Sequence, residues 1–255
     1  MSWIREARRV LDAIETTQQE AMEAAALVAA DAIAGGGVVH TFGTGHSRIP
    51  VEEMFPRYGS YPGWHPIVEL SMTFHTEIAG ANGQRQAMFI ERVSGLADAM
   101  LANFQLRPTD AMMIFSASGR NAVPVETAII AKKAGLTVIA VTSLLEARSV
   151  PATHESGTVL ADHADVVIDL CTPLGDAVID IEGWPHKVGP VSTVANVAIV
   201  NTVKVLTAQH LAARGVQLPV LTGAQVVGAE RSAELFERAY LEHARRKAGV
   251  LKVGP

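Results

Sequence analysis

The stretch Ala111-Met112-Met113-Ile114-Phe115-Ser116-Ala117-Ser118-Gly119-Arg120-Asn121 decides how the rest of the chain is read. Five apolar residues without polar alternation describe a strand buried on both faces. A turn rich in serine and glycine follows, then a helical stretch through Val125 to Lys133 that Gly135 ends. A second apolar strand, Thr137-Val138-Ile139-Ala140-Val141-Thr142, comes next. Strand, crossover helix and strand make the unit of a parallel sheet with helices on both faces. Ligands of such sheets gather outside the carboxyl ends of the strands, where this turn falls.

Upstream, the same arrangement recurs. Val38-Val39-His40-Thr41-Phe42 runs into Gly43-Thr44-Gly45-His46-Ser47. A helix start carries free backbone N–H groups and the positive end of the helix dipole. Glycines let backbone approach closely and serine hydroxyls add neutral donors, so such a turn suits an anion, most often a phosphate. One turn of this kind also reads as a plain strand-to-helix connection with an N-cap serine; two in one sheet point to a small phosphorylated ligand. Neither is a dinucleotide fingerprint, because Arg48 stands where the third glycine would be. The chain holds no Gly-Lys dipeptide for a Walker loop, no Gly-x-Ser-x-Gly elbow and no His-Glu-x-x-His. No metal site and no organic cofactor are expected.

Around this centre, residues 2–34 read as helix, ended by Gly35-Gly36-Gly37. A short strand is expected near Pro66–Leu70. A long helix is expected from Gln84 to Phe104, with Phe89, Val93, Leu96, Met100 and Phe104 on one face. Ala164–Leu170 reads as a further strand, Ala177–Ile181 as a short one, and Ser192–Ala213 and Ala229–Lys247 as helices. The expected organisation is an N-terminal helical segment (1–34), a central α/β region (35–215) and a C-terminal helical extension (216–255), forming one structural unit. With 49% hydrophobic residues the chain can build a sizeable core. A net charge of −5, with no basic run beyond Arg245-Arg246-Lys247, argues against nucleic acid as partner. The single cysteine, Cys171, excludes an internal disulfide and reads as a small buried residue after a strand. The charged N-terminus lacks a signal-peptide core, and no apolar run is long enough to span a bilayer, so the cytoplasm is the expected compartment.

The second turn, with the helix through Ala131-Lys132-Lys133-Ala134-Gly135 and the strand after it, resembles the signature of the SIS (sugar isomerase) phosphosugar-binding domains, and Gly43–Ser47 fits their first-strand loop. The resemblance covers about residues 30–215. It implies a three-layer αβα sandwich around a five-stranded parallel sheet, flanked here by extra N- and C-terminal helices. It also implies a sugar phosphate ligand, bound through Ser47, Ser116, Ser118 and Asn121, and a homodimer with shared active sites. The runs Gly157–Asp165 and Lys187–Thr193 are similar to a bacterial, phosphoheptose-isomerase-like subgroup.

Within that family, three stretches resemble the N-acetylmuramic acid 6-phosphate etherases: Gly35–Ser47, Glu53-Met54-Phe55-Pro56-Arg57-Tyr58-Gly59 and Ser116-Ala117-Ser118-Gly119-Arg120. The resemblance puts catalytic glutamates at Glu53 and Glu91. Without the family, Pro50 suits the first turn of a helix. Glu53 then follows Ser47 by roughly 9 Å along the axis, at about 1.5 Å per residue. Glu53 also reads as a solvated surface residue beside Glu52, and Glu91 as an exposed residue paired with Arg92. SIS isomerases often use a histidine for ring opening, sometimes from the neighbouring subunit; His75 and His186 are the candidates here. Asn196 and Asn201, in an apolar helix, line a pocket or join a subunit interface.

The expected chemistry is proton removal at C2 of a ring-opened hexosamine 6-phosphate, with Glu91 as base and Glu53 as acid. Thr44 and Ser47 are placed to stabilise the enediolate. With an N-acetyl group at C2, loss of the C3 substituent follows, giving a lyase or dehydratase acting on a sugar such as N-acetylglucosamine 6-phosphate. With a hydroxyl at C2 the outcome is an aldose–ketose isomerase. A third alternative is a non-catalytic sugar-phosphate sensor that regulates a partner protein.

Overall fold

A computed structural model describes residues 2–73 and 83–252. Two helices open the chain, α1 (Trp3–Thr17) and α2 (Gln19–Ala34), so the expected helix over 2–34 is broken once, at Gln18. The sheet strands are β1 (Val39–Gly43), β2 (Trp64–Ile67), β3 (Ala111–Phe115), β4 (Thr137–Thr142) and β5 (Val166–Asp169). They form one parallel sheet of five strands in the order β2-β1-β3-β4-β5. Between β1 and β2 lies α3 (Ile49–Met54); between β2 and β3 lie α4 (Leu70–Thr73), α5 (Gly83–Ile90) and α6 (Leu96–Leu101). Helix α7 (Ala122–Lys133) crosses from β3 to β4, and α8 (Leu144–Arg148) follows β4.

The central strand β3 shows why the sheet needs two covers. All five of its residues are buried, and side chains alternate between faces. Ala111, Met113 and Phe115 join a core with α1, α2 and a later helix, α9 (Ser192–Ala213). Met112 and Ile114 face the opposite way, into a core with α6, α7 and β4 residues such as Val138. The result is the expected three-layer αβα sandwich. Before α9, β6 (Ala177–Ile179) pairs with β7 (Val188–Pro190) in an antiparallel hairpin, where a single short strand is expected from the sequence. The chain then makes α10 (Ala224–Val227) and α11 (Ala229–Lys247). Arg246, near the end of α11, is buried and donates to the carbonyls of Ile33 (2.8 Å) and Gly37 (2.8 Å), where α2 ends.

The expected long helix from Gln84 to Phe104 is interrupted. Helix α5 ends at Ile90, and α6 starts after Gly95, whose φ is +83°. Phe89 and Val93 are exposed rather than on a core face. The interruption has a physical cause: the buried Glu126 carboxylate of α7 accepts from Ser94 Oγ (2.5 Å) and from Gly95 N–H (3.0 Å). A Ser-Gly pair bound this way starts a new helix instead of continuing the old one. Cys171 follows β5 as expected but is half-buried, with φ of +53°. Among the described residues no helix is long and apolar enough to cross a membrane.

Candidate functional site

The two serine- and glycine-rich turns do meet at the carboxyl end of the sheet, and they line one cavity of about 630 Å³. The first turn leaves β1 through Gly43, where a Cβ would overlap the Ser47 carbonyl; only glycine permits so tight a return. Ser47 N–H donates to the Thr44 carbonyl (3.0 Å), and the chain passes through a single tight turn over Gly45–Arg48 into α3. Pro50 stands in the first turn of α3, as its sequence position predicts. The second turn is held from behind. Gly119 has φ of +60°, and a Cβ there would lie 2.7 Å from Thr142 Oγ1. Its N–H donates to Ser116 Oγ (3.1 Å), and its carbonyl accepts from Leu160 N–H (2.8 Å). Thr44, Gly45, His46 and Ser47 of the first turn line the cavity, as do Ser116, Ser118 and Asn121 of the second; Gly43 and Gly119 shape the turns without lining it.

Glu91 joins the two turns. The break between α5 and α6 brings its carboxylate into the cavity. There Oε2 accepts from Thr44 Oγ1 (2.6 Å) and Oε1 from Asn121 Nδ2 (2.8 Å). Its carbonyl accepts from Val123 N–H (3.1 Å) in the first turn of α7. Burial pushes the Glu91 carboxyl above the ordinary glutamate value; the Thr44 hydroxyl and the nearby Arg92 charge oppose that rise and do not cancel it. Asn121, expected on a phosphate, has its amide nitrogen on Glu91.

Glu53 is placed elsewhere. Its carboxylate accepts from Arg57 Nη1 (2.9 Å) and Asn201 Nδ2 (3.3 Å) and lies 3.5 Å from Lys204 Nζ, and it does not line the cavity. Burial works to raise its pKa, but Arg57, Asn201 and Lys204 outweigh it and hold the carboxyl below the ordinary value. A carboxyl kept ionised in this way is poorly suited to donate a proton. His186 lies exposed between β6 and β7 and does not line the cavity; His75 falls outside the described residues. Of the two asparagines, Asn196 lines the cavity and Asn201 binds Glu53.

Several lining residues carry no separate sequence signal. Arg92 and Arg120 add positive charge; Arg120 lies 3.8 Å from Glu146, which is also at the cavity. Of these, only Arg120 belongs to a run the sequence marks, Ser-Ala-Ser-Gly-Arg. Asp176, at φ of +65°, caps α9: its carboxylate accepts from Ser192 N–H (2.7 Å), Ser192 Oγ (2.6 Å) and Val191 N–H (3.0 Å). Among the described residues no group of three or more His, Cys, Asp or Glu side chains could hold a metal ion. A half-buried carboxyl of raised pKa, set between two turns rich in serine and glycine, is an arrangement suited to moving a proton on a molecule held in the cavity.

Comparison with known proteins agrees with this architecture. A family model described as "SIS domain" matches residues 2–143. A UPF0309 protein of Streptomyces coelicolor is 36% identical over 234 residues, which cover 91% of this chain and 89% of that one. A UPF0309 protein of Caldanaerobacter subterraneus is 34% identical over 231 residues, covering 89% and 92%. Among solved structures, a phosphoheptose isomerase from Neisseria gonorrhoeae superposes with a TM-score of 0.52 at 15% identity, over 81% of this chain and 95% of that one. One from Francisella tularensis gives 0.51 at 14%, with the same coverage. That likeness is one of fold. With a family match over more than half its length and relatives above 30% identity along most of it, the chain belongs to the SIS domain family.

Proposed function

We propose that the protein binds a sugar phosphate and removes the proton at C2 of its ring-opened form, with Glu91 as the base. The observation that carries this reading is the position of the Glu91 carboxylate, half-buried at the cavity and bonded to Thr44 on one side and Asn121 on the other. The phosphate sits against the Thr44–Ser47 and Ser116–Ser118 turns, which leaves the sugar chain to extend toward Glu91. A carboxyl whose pKa is raised is both a stronger base when ionised and a usable acid once protonated.

The proton leaves C2 for Glu91, and the electron pair of the C–H bond forms a C1–C2 double bond while the C1 carbonyl oxygen takes the negative charge; that enolate re-forms its carbonyl when it collapses. When C2 carries an N-acetyl group, the C3–O bond then breaks, a C2–C3 double bond forms, and Glu91 returns its proton to the departing oxygen. One carboxyl serves both transfers, because Glu53 is tied to Arg57, Asn201 and Lys204 outside the cavity. This is a lyase of the dehydratase kind, acting on an N-acetylhexosamine 6-phosphate. The stretches shared with the etherases, Gly35–Ser47 and Ser116–Arg120, support that choice of sugar. A second reading is favoured by the same displacement of Glu53: a base that returns the proton to C1, with no leaving group to protonate, makes an aldose–ketose isomerase.

The test is incubation of the protein with a panel of hexose and N-acetylhexosamine 6-phosphates in deuterated water, followed by NMR and mass spectrometry. Loss of one water from an N-acetylhexosamine phosphate, abolished by Glu91→Gln and largely retained by Glu53→Gln, is the expected result. A ketose carrying solvent deuterium instead selects the isomerase. Binding without turnover selects a sensor and removes Glu91 as base. For Glu91→Gln the expected loss is about 10³-fold in kcat, within the range of general acid–base catalysis.

A further inference from the structure

Beside the main cavity lies a second one of about 380 Å³, formed by Arg92, Arg120, Asn121, Ala122 and Thr153. The two share Arg92, Arg120 and Asn121. We propose that this side cavity is a second anion subsite, so that the preferred ligand is a sugar phosphate with a further phosphate or carboxylate, or a sugar phosphate bound together with a free anion. The inference rests on the reading of the Thr44–Ser47 and Ser116–Ser118 turns as the seat of the first phosphate.

Three independent observations lead to an anion. Arg92 is exposed, and no side-chain hydrogen bond or ion pair engages it among the described residues. Arg120 has only Glu146 at 3.8 Å, and its Nε–H is buried with no hydrogen-bond partner among the described residues. A buried guanidinium N–H without an acceptor is costly, and a planar fork of donors suits a phosphate or carboxylate in two-point contact. Last, the cavity includes Asn121 and Ala122, the N-cap and first residue of α7, a helix of 12 residues whose positive end adds to the two arginines. The negative groups beside them are Glu146, which lies 3.8 Å from Arg120, and Glu91, whose two oxygens accept from Thr44 and Asn121. The side cavity itself is lined by two arginines and no acidic residue, in a chain whose net charge is −5.

The test has two arms. In the first, calorimetry compares glucose 6-phosphate with glucose 1,6-bisphosphate on the wild type and on Arg92→Ala. Arg92 is exposed and makes no bond that folding needs, so this variant keeps its fold; Arg120→Lys, which keeps the charge and removes the fork, is the second variant. The bisphosphate should bind about tenfold tighter than the monophosphate to the wild type, as a charge-assisted contact implies, and lose that advantage in both variants. In the second arm, crystals grown in sulfate should carry one sulfate at Ser47–Ser118 and another between Arg92 and Arg120. The second sulfate alone, without the bisphosphate advantage, assigns the subsite to a free anion. Absence of both overturns the proposal. The sulfate arm needs no sugar, so failure of the proposed reaction leaves it decisive. An advantage for the bisphosphate that survives in Arg92→Ala and Arg120→Lys also overturns it.

Discussion

The two ends of the parallel sheet are both polar, and they differ in what their polar groups face: one another at the amino end, a cavity at the carboxyl end. At the amino end, Asp110 accepts from Val38 N–H (3.0 Å) and from both sides of the Arg107 guanidinium (2.9 and 2.8 Å), with His40 Nε2 at 3.5 Å. His40 in turn meets His65 through their Nδ1 atoms at 3.1 Å. His40, His65 and Asp110 are all buried, and neither cavity described above includes them. At the carboxyl end, the serines of both turns, Arg92 and Arg120 line open cavities. A closed network stabilises and specifies; an open one has donors left for a ligand. The difference separates a structural cluster from a binding site more surely than residue type, since histidine and aspartate are the commoner signs of chemistry and here they lie at the closed end.

The strongest way to break the comparison is to open the closed end. Asp110→Asn removes the charge that Arg107 and His40 face and turns an amide N–H₂ toward donors. The expected cost is about 3 kcal/mol, in line with breaking a buried ion pair, read from the urea midpoint at constant m-value. The proposed turnover per folded molecule should stay within about twofold, because Asp110 is at the far end of the strands from Glu91. A large loss of kcat with little loss of stability would show that the amino end takes part in the reaction.

Much of this was legible in the sequence where local signals agree. Strands 111–115 and 137–142 and the helices 192–213 and 229–247 match their expected limits, because continuous apolar runs and sustained helical spacing leave one reading. The interruption at residues 91–95 is masked in the sequence, although Ser94-Gly95 is a break signal, because Phe89, Val93 and Leu96 keep a helical spacing across it. That spacing concealed how Glu91 enters the cavity. Glu53 and Glu91 look alike in sequence; what separates them is contact with distant residues, Asn201 and Lys204 for one, Thr44 and Asn121 for the other. Two turns of similar composition could be placed in one cavity from sequence because each ends a parallel strand. The tie of Asn121 to Glu91 could not, since it depends on which side chains the folded turn leaves adjacent.

The two ends also titrate with opposite sign, which gives a sharper test. Burial above all, then electrostatic repulsion from His40, Lys247 and His243, holds the pKa of His65 at about 3, with Asp110 opposing. An unfolded histidine takes up a proton near its ordinary value of 6.5. From about pH 6.5 down to about 3 the unfolded chain therefore binds a proton that the folded one refuses, and stability falls as the solution is acidified. The expected loss is on the order of 2 kcal/mol by about pH 5, read as a falling urea midpoint and reduced in His65→Gln. Glu91 works the other way. Its folded pKa is raised, so its contribution is fully present below the ordinary 4.5 and is lost as pH rises through the folded value. Glu91→Gln should thus stabilise the protein at neutral pH, whereas His65→Gln should not.

The smallest effect expected isolates how the open end is held open. Glu126 accepts from Ser94 and Gly95 and faces His154 Nε2 at 3.5 Å, so it fixes the break that carries Glu91. It touches neither serine turn and does not line the cavity. Glu126→Gln keeps one carbonyl oxygen for the Gly95 N–H and loses the charge that draws Ser94 and His154. The expected cost in stability is about 1 kcal/mol, the scale of one weakened hydrogen bond. If Glu126 acts as a positioning residue, kcat falls about tenfold while KM stays within about twofold, because the phosphate turns are intact and only the base is displaced. Its pH profile should move as well, since a Glu91 that swings toward water loses the burial that raises its pKa. A variant that is less stable but unchanged in kcat and in pH profile would mean that Thr44 and Asn121 alone are enough to hold Glu91 in place.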